Sequence, residues 1–436
     1  PACRGGGRKP SGLSGCGSVF FLDDFRFFRF FRFCVMVLGK YSSRKVEGMP
    51  NPFKPTAGMT PPVLVGRQVE LDDFQIALDD GVGAPGRLLY VTGARGVGKT
   101  VMLNALGDIA RNRGWYVIDE TAEVGFLSRL IQELLDRPET RISKYELPSG
   151  GFAVPGAGIQ ASLGFGSVEF QQDNQVLDIR HAIVNRLDRL KESEQGVLIT
   201  LDEVQPSSLP EIRSLAIGIQ HLIREKRNVA FVFAGLPSMV DTVINDDVLT
   251  FLRRAECHHL GSVDLKEIWS AFEKTISKCG KNANYDVLNS LTEATNGYPF
   301  MIQLVGYWSW RYSDVNNHLD RVHMEDAQQG IKKARISLGS MVHGPEFDNL
   351  SPMAKDYLIA MSQDDGPSNT RVIAERIHRD VKYASVYRAQ LIKEDVIEQT
   401  GFGYVDFKIP YLRDYLKEHA VHHQMKKDIA KAQTED

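Results

Sequence analysis

The sequence predicts an α/β fold: a parallel sheet with helices on both faces, then a helical segment, then three helices with a β-hairpin. Three observations carry this. Apolar, β-branched runs ("RLLYVT", "WYVIDE", "GVLITLDE", "NVAFVFAG") alternate with helix-length amphipathic stretches, the pattern of a parallel sheet buried on both sides. The stretch "GARGVGKT" joins one such strand to the next helix with the spacing of a phosphate-binding loop. After residue 262 the pattern turns helical, until "EQTGFGYVDFKIP" supplies two short strands around a Gly-x-Gly turn.

The 436 residues allow two to four domains by the usual length prior. A hydrophobic share of 43% and a charged share of 25% describe an ordinary globular chain. With 52 basic and 55 acidic residues, the net charge of −3 exerts no global pull on nucleic acid or membrane. Any nucleic-acid surface must be a local patch. Five scattered cysteines (Cys3, Cys16, Cys34, Cys257, Cys279) match neither a zinc spacing nor a disulfide framework. They fit a reducing cytosol, so a cytoplasmic location is expected. No apolar run is long enough to span a bilayer, and no membrane partner is expected.

Residues 1–48 differ from the rest. Arg26, Arg29 and Arg32 interrupt "FFLDDFRFFRFFRFCVMV" and no small-residue cleavage site follows, so a signal peptide is not expected. An interfacial anchor is one reading; the preferred one is a disordered or mis-translated extension. Residues 49–262 form the expected core. Its proline-rich lead, "MPNPFKPTAGMTPP", reads as an extended arm, and "VLVGRQVELDDFQIAL" as a glycine turn opening a helix. "FLSRLIQELLDR", "LDIRHAIVNRLDRLK" and "IRSLAIGIQHLIREK" are the covering helices. Between them, residues 147–170 are glycine-rich and suggest a β-hairpin insertion.

Residues 263–345 read as four helices, the first with Asp264 and Glu267 in capping-box register. Residues 346–420 follow with "SPMAKDYLIAMS", "TRVIAERIH", "YASVYRAQLIKEDVI" and the hairpin, the pattern of a winged helix. Residues 421–436 read as a polar tail.

The loop carries the first piece of chemistry. Gly93, Gly98, Lys99 and Thr100 fill the fixed positions of G-x-x-x-x-G-K-T, and Ala94, Arg95, Gly96, Val97 and Val101 complete the cradle. Glycines let the backbone N–H groups approach a phosphate closely. Lys99 is placed to reach the β- and γ-phosphates, and the Thr100 hydroxyl to ligate Mg2+. The following helix turns its N-terminal dipole to the anion. In "GVLITLDE" four apolar residues lead to Asp202, placed to hold Mg2+ through its water shell. Glu203 beside it is placed to deprotonate the attacking water.

Together these stretches resemble an AAA+ ATPase of the branch that includes archaeal and bacterial initiator-like ATPases and STAND-type NTPases. The resemblance covers about residues 60–418. It rests on "VGRQVEL", "GARGVGKT", "LITLDE", "FVFAG", "FLRRAECHHL", "NGYPFMIQL" and the winged helix. It implies ATP and Mg2+ as cofactors, Mg-dependent hydrolysis, and residues 263–345 as a lid. It implies that Gly66, Arg67 and Glu70 lie near the adenine, and Pro299 of "NGYP" near the nucleotide. Arg253 or Arg254 matches the place of an arginine finger acting on a neighbour, hence a homo-oligomer. Where the family carries a polar γ-phosphate sensor, this sequence has Ala234-Gly235.

For output, the sequence supports an ATP-driven switch acting through the winged helix, or an initiator-like or transposition-associated ATPase acting on duplex DNA. The candidate reading helix is expected to expose Lys382, Tyr383, Tyr387, Arg388, Gln390 and Lys393, with Gly401–Gly403 as the wing. Asp380, Glu394 and Asp395 dilute its charge, and winged helices also dock proteins. Both readings stay open. Cys257, His258 and His259 are adjacent on a strand, so their side chains alternate and do not converge on one metal ion.

Overall fold

Burial of the central strands on both faces decides the layering. In the computed structural model, residues 50–135 (except 57, 62 and 63), 168–169, 176–190 and 195–419 are described. All belong to one unit, Met49–Asp436. Extension 1–48 and tail 421–436 lie outside the described residues, as does most of the insertion at 147–170. What is described there is a short antiparallel pair, β3 (Val168–Glu169) with β4 (Val176–Leu177).

The main sheet is built from β1 (Leu88–Thr92), β2 (Tyr116–Thr121), β5 (Val197–Asp202), β6 (Val229–Gly235) and β7 (Glu256–His259). Its order is β2-β5-β6-β1-β7, and every pairing is parallel. Successive residues supply opposite faces. Leu198, Ala230 and Val232 join one core cluster with Met102, Leu103, Leu106 and Ala110 of α2 (Lys99–Asn112). Ile199, Phe231 and Phe233 join another, under α3 (Phe126–Leu135), α4 (Ile179–Leu187) and α5 (Leu209–Arg224). Helix α1 (Gln68–Asp79) lies on the first face and α6 (Pro237–Ile244) on the second.

The first core continues into α7 (Leu265–Lys278), α8 (Tyr285–Glu293), α9 (Pro299–Val315) and α10 (Met324–Leu338). Asp264 caps α7 by accepting from the Lys266 N–H at 2.7 Å. Glu267 departs from the expected capping box: it reaches Gly66 and attracts Arg67. The proline-rich arm is extended but not loose. Phe53 is 3% exposed against Phe272 and against Gly306 of α9, where any Cβ would collide with its ring. Asn51 Nδ2 donates to the Tyr307 carbonyl at 2.9 Å, strapping the arm to α9.

A five-residue π-helix, Gly339–His343, leads into α11 (Gly344–Asn349). Then follow α12 (Pro352–Ser362), β8 (Ser368–Asn369), α13 (Thr370–Arg376), α14 (Val381–Lys393), β9 (Ile397–Gly401), β10 (Tyr404–Phe407) and helical residues 412–419. Ser351 caps α12 with Pro352 at its first position, as the sequence predicts. The strands form an antiparallel sheet in the order β8-β10-β9, over a separate core around Tyr357, Leu391 and Val405.

Candidate nucleotide site

Parallel pairing brings the ends of the strands to one edge. Thr92 lies opposite Gly235 and His259, and Thr121 opposite Asp202. The loop 93–98 leaves this edge for α2. Gly98 begins that helix at φ +96°, a left-handed turn suited to glycine. The first N–H groups of α2 have no acceptor within the helix, so they and its dipole are available to an anion. Gly96, at φ +71°, is required for a second reason: a Cβ there would collide with the Tyr298 hydroxyl.

Lys99 Nζ donates to the carbonyls of Gly93 at 2.9 Å and Ala94 at 2.8 Å. Burial is the main influence on it and brings its pKa down to about 8, against the pull of Asp202. Thr100 Oγ1 donates to Asp202 Oδ2 at 2.6 Å, and Asp202 Oδ1 accepts the Glu203 N–H at 2.8 Å. This set of adjacent oxygens suits a hard divalent cation such as Mg2+. Glu203 is exposed and sits at φ +54°, a conformation that side-chain-bearing residues seldom adopt outside functional turns. Its carboxylate makes no hydrogen bond or ion pair among the described residues.

At Gly235 there is no room for a sensor side chain, since a Cβ would meet Val204 Cγ2 at 2.6 Å. Arg67 is buried, donating to the Gly261 carbonyl at 2.5 Å, and burial lowers its pKa. Glu70 and Glu267 attract it. The "NGYP" turn docks on the loop itself. Pro299 opens α9, the Phe300 N–H donates to the Gly96 carbonyl at 3.2 Å, and the Tyr298 hydroxyl donates to the Arg95 carbonyl.

Arg253 and Arg254 are exposed at the end of a 3-10 turn, Thr250–Arg254. They precede β7, whose far end, His259, lies beside Thr92. A strand length of roughly 13 Å therefore separates them from their own loop. Neither makes an ion pair among the described residues, and Glu256 faces His258 at 3.5 Å instead. His258 is buried, while Cys257 and His259 are exposed, as alternation requires.

On α14 the structure corrects the expected exposure. Tyr387 and Arg388 are half-buried because the helix packs on the C-terminal core and β9; Arg388 donates to Gln399 at 2.9 Å. Lys393 is exposed but pairs with Asp241 of α6 at 3.2 Å. Lys382, Tyr383 and Gln390 are exposed. Sequence reasoning missed two residues at the loop: Tyr298, and Glu346 of α11, which pairs with Arg95. The aromatic residue before Pro299 was the available signal for the first.

Residues 63–232 match the family described as AAA ATPase domain. The chain carries an AAA+ ATPase domain. The AAA ATPase match runs through Lys99, Thr100, Asp202 and Glu203 and ends within β6. Residues 340–416 match a second family, Domain of unknown function (DUF8462). Among solved structures, the Walker-type ATPase of Pyrococcus abyssi superposes with a TM-score of 0.56 at 14% identity, covering 81% of this chain and 96% of that one. The ORC2 protein of Aeropyrum pernix, in ADPNP–ADP complexes, gives 0.56 at 12% identity, covering 88% and 99%. At such identities the likeness is one of fold. No curated protein matches this chain. Among its described residues, no helix is long and apolar enough to cross a membrane.

Proposed function

We propose that this AAA+ protein binds and hydrolyses Mg-ATP at residues 93–101 and passes its nucleotide state to a C-terminal winged helix. The domain limits proposed are 49–262 for the core, 263–345 for the lid and 346–420 for the winged helix. The observation that carries the reading is the contact of Thr100 with Asp202, with the unpaired carboxylate of Glu203 one residue further on. Lys99 and the first N–H groups of α2 hold the phosphates. Thr100 and Asp202 would hold Mg2+, which would supply charge neutralisation for the phosphate oxygens. Glu203 accepts a proton from the water whose oxygen bonds to the γ-phosphorus, while the bond to the ADP oxygen breaks. Arg67 and Pro299 border the nucleotide. Arg253 or Arg254, lying at the far end of β7, can act only on a neighbouring copy's nucleotide.

Turnover by Glu203→Gln tests the hydrolytic role. The variant should bind ATP as wild type does and hydrolyse it about 10²-fold or more slowly. A wild-type rate would leave nucleotide sensing without this catalytic residue.

Duplex DNA is a second reading, favoured by exposed Lys382 and by the fully exposed Phe402 at the tip of the β9–β10 turn. With Lys393 paired to Asp241 of α6, DNA would engage this surface fully only after the winged helix leaves the core.

A further inference from the structure

Glu346 and Arg95 are 251 positions apart, yet their side chains form an ion pair on the rim of the phosphate loop. Glu346 belongs to α11, and its neighbour Phe347 packs in the C-terminal core. The residue is 8% exposed. Burial raises its carboxyl pKa, while Arg95 and Lys99 both favour its charged form. Its buried Oε2 makes no well-directed hydrogen bond. The carboxylate is thus desolvated and held mainly by charge, a contact that a stronger anion can displace.

We propose that Glu346 is an internal anion that latches the C-terminal module onto the phosphate loop, and that an entering nucleoside triphosphate displaces it from Arg95 and Lys99. This rests on the nucleotide reading above and supplies its coupling step. A triphosphate and a carboxylate repel one another, so they compete for the same two cations. Besides Tyr411, which packs on the first core with Arg335 of α10 over its ring, the module meets the rest of the chain through polar contacts. Lys393 meets Asp241 at 3.2 Å, Asp395 meets His259 at 3.4 Å, and the Tyr411 hydroxyl donates to the Ala294 carbonyl at 2.8 Å. Both ion pairs have a largely exposed basic partner, and pairs of that kind contribute little. Glu346 also lies three residues beyond the π-helix Gly339–His343, through which the chain passes from α10 into the module. Such short irregular helices concentrate at hinges and functional sites.

Linkage makes the latch measurable from both sides: if ATP expels Glu346, then Glu346 weakens ATP binding by the same factor. Two measurements on the full chain test it. Calorimetric titration with Mg-ATP should show Glu346→Gln binding about fivefold or more tightly than wild type. Hydrogen exchange in wild type should rise across residues 339–349 when Mg-ATP is added; this arm needs no variant to fold. Equal or weaker ATP affinity in folded Glu346→Gln overturns the latch. So does unchanged exchange in wild type saturated with ATP. Wild type that binds ATP without change in exchange removes the latch and leaves the nucleotide site standing. If neither protein binds ATP, the nucleotide reading falls and the latch with it.

Discussion

Thr100 Oγ1 and Asp202 Oδ2 are 2.6 Å apart, although a whole strand, β6, lies between the strands that lead to them. The contact closes the edge of the sheet at the point where the loop turns into α2. A cation entering there would take both oxygens from one another. Asp202→Asn keeps the size of the side chain and removes its charge. The Mg2+ concentration for half-maximal hydrolysis should rise about 10- to 100-fold, as when metal-orienting groups are lost. An unchanged Mg2+ requirement would exclude Asp202 from the metal's surroundings.

The state of Lys99 gives a pH dependence with a definite sign. Its pKa lies at about 8, pushed down by burial, whereas contact with phosphates requires the ammonium. ATP affinity should therefore be level well below pH 8 and decline as pH rises through it, approaching about tenfold per unit. Near pH 8 binding should take up about half a proton, read by calorimetry in buffers of different ionisation enthalpy. Affinity that is constant from pH 7 to 9, with no proton uptake, would contradict this.

Arg253 and Arg254 stand at the wrong end of β7 to serve their own loop. If one serves a neighbour's, specific activity should rise with protein concentration. Fingers of this kind contribute about 10³ to 10⁵ in rate in studied GTPases. Alanine at the correct position should flatten that rise without weakening ATP binding. Constant activity per subunit in a strictly monomeric preparation would exclude the role.

Phe53 predicts that the arm belongs to the folded unit. Its ring fills the space above Gly306 and beside Phe272, so Phe53→Ala should cost about 3–5 kcal/mol in denaturant unfolding. A loss below about 1 kcal/mol would mean that the arm packs only loosely.

The strands and helices were legible because each is an apolar run or an amphipathic repeat whose period matches its structure. β6 is buried at every residue, and reads so from "VAFVFAG". That Thr100 and Asp202 meet was legible from the loop motif and from a strand that ends on Asp-Glu. What could not be read depends on contacts distant in sequence. Nothing in "NPFKP" announces that Phe53 caps a glycine some 250 residues away. β8 is two residues long and exists only through β10. The left-handed φ of Glu203 has no composition signature, because glutamate seldom adopts it. Glu346 lies in "HGPEFDN", which looks like an interdomain turn, and its partner is chosen by how the C-terminal module docks.

The most direct test of the central claim is titration of wild type and Lys99→Ala with Mg-ATP, followed by calorimetry. Lys99 is the one lysine of the loop, and its Nζ now rests on the loop's own carbonyls, ready to exchange them for phosphate oxygens. The account predicts a one-to-one isotherm for wild type and about a 100-fold or greater loss of affinity in the variant. Equal affinity in the two proteins, or no binding by wild type, would contradict it.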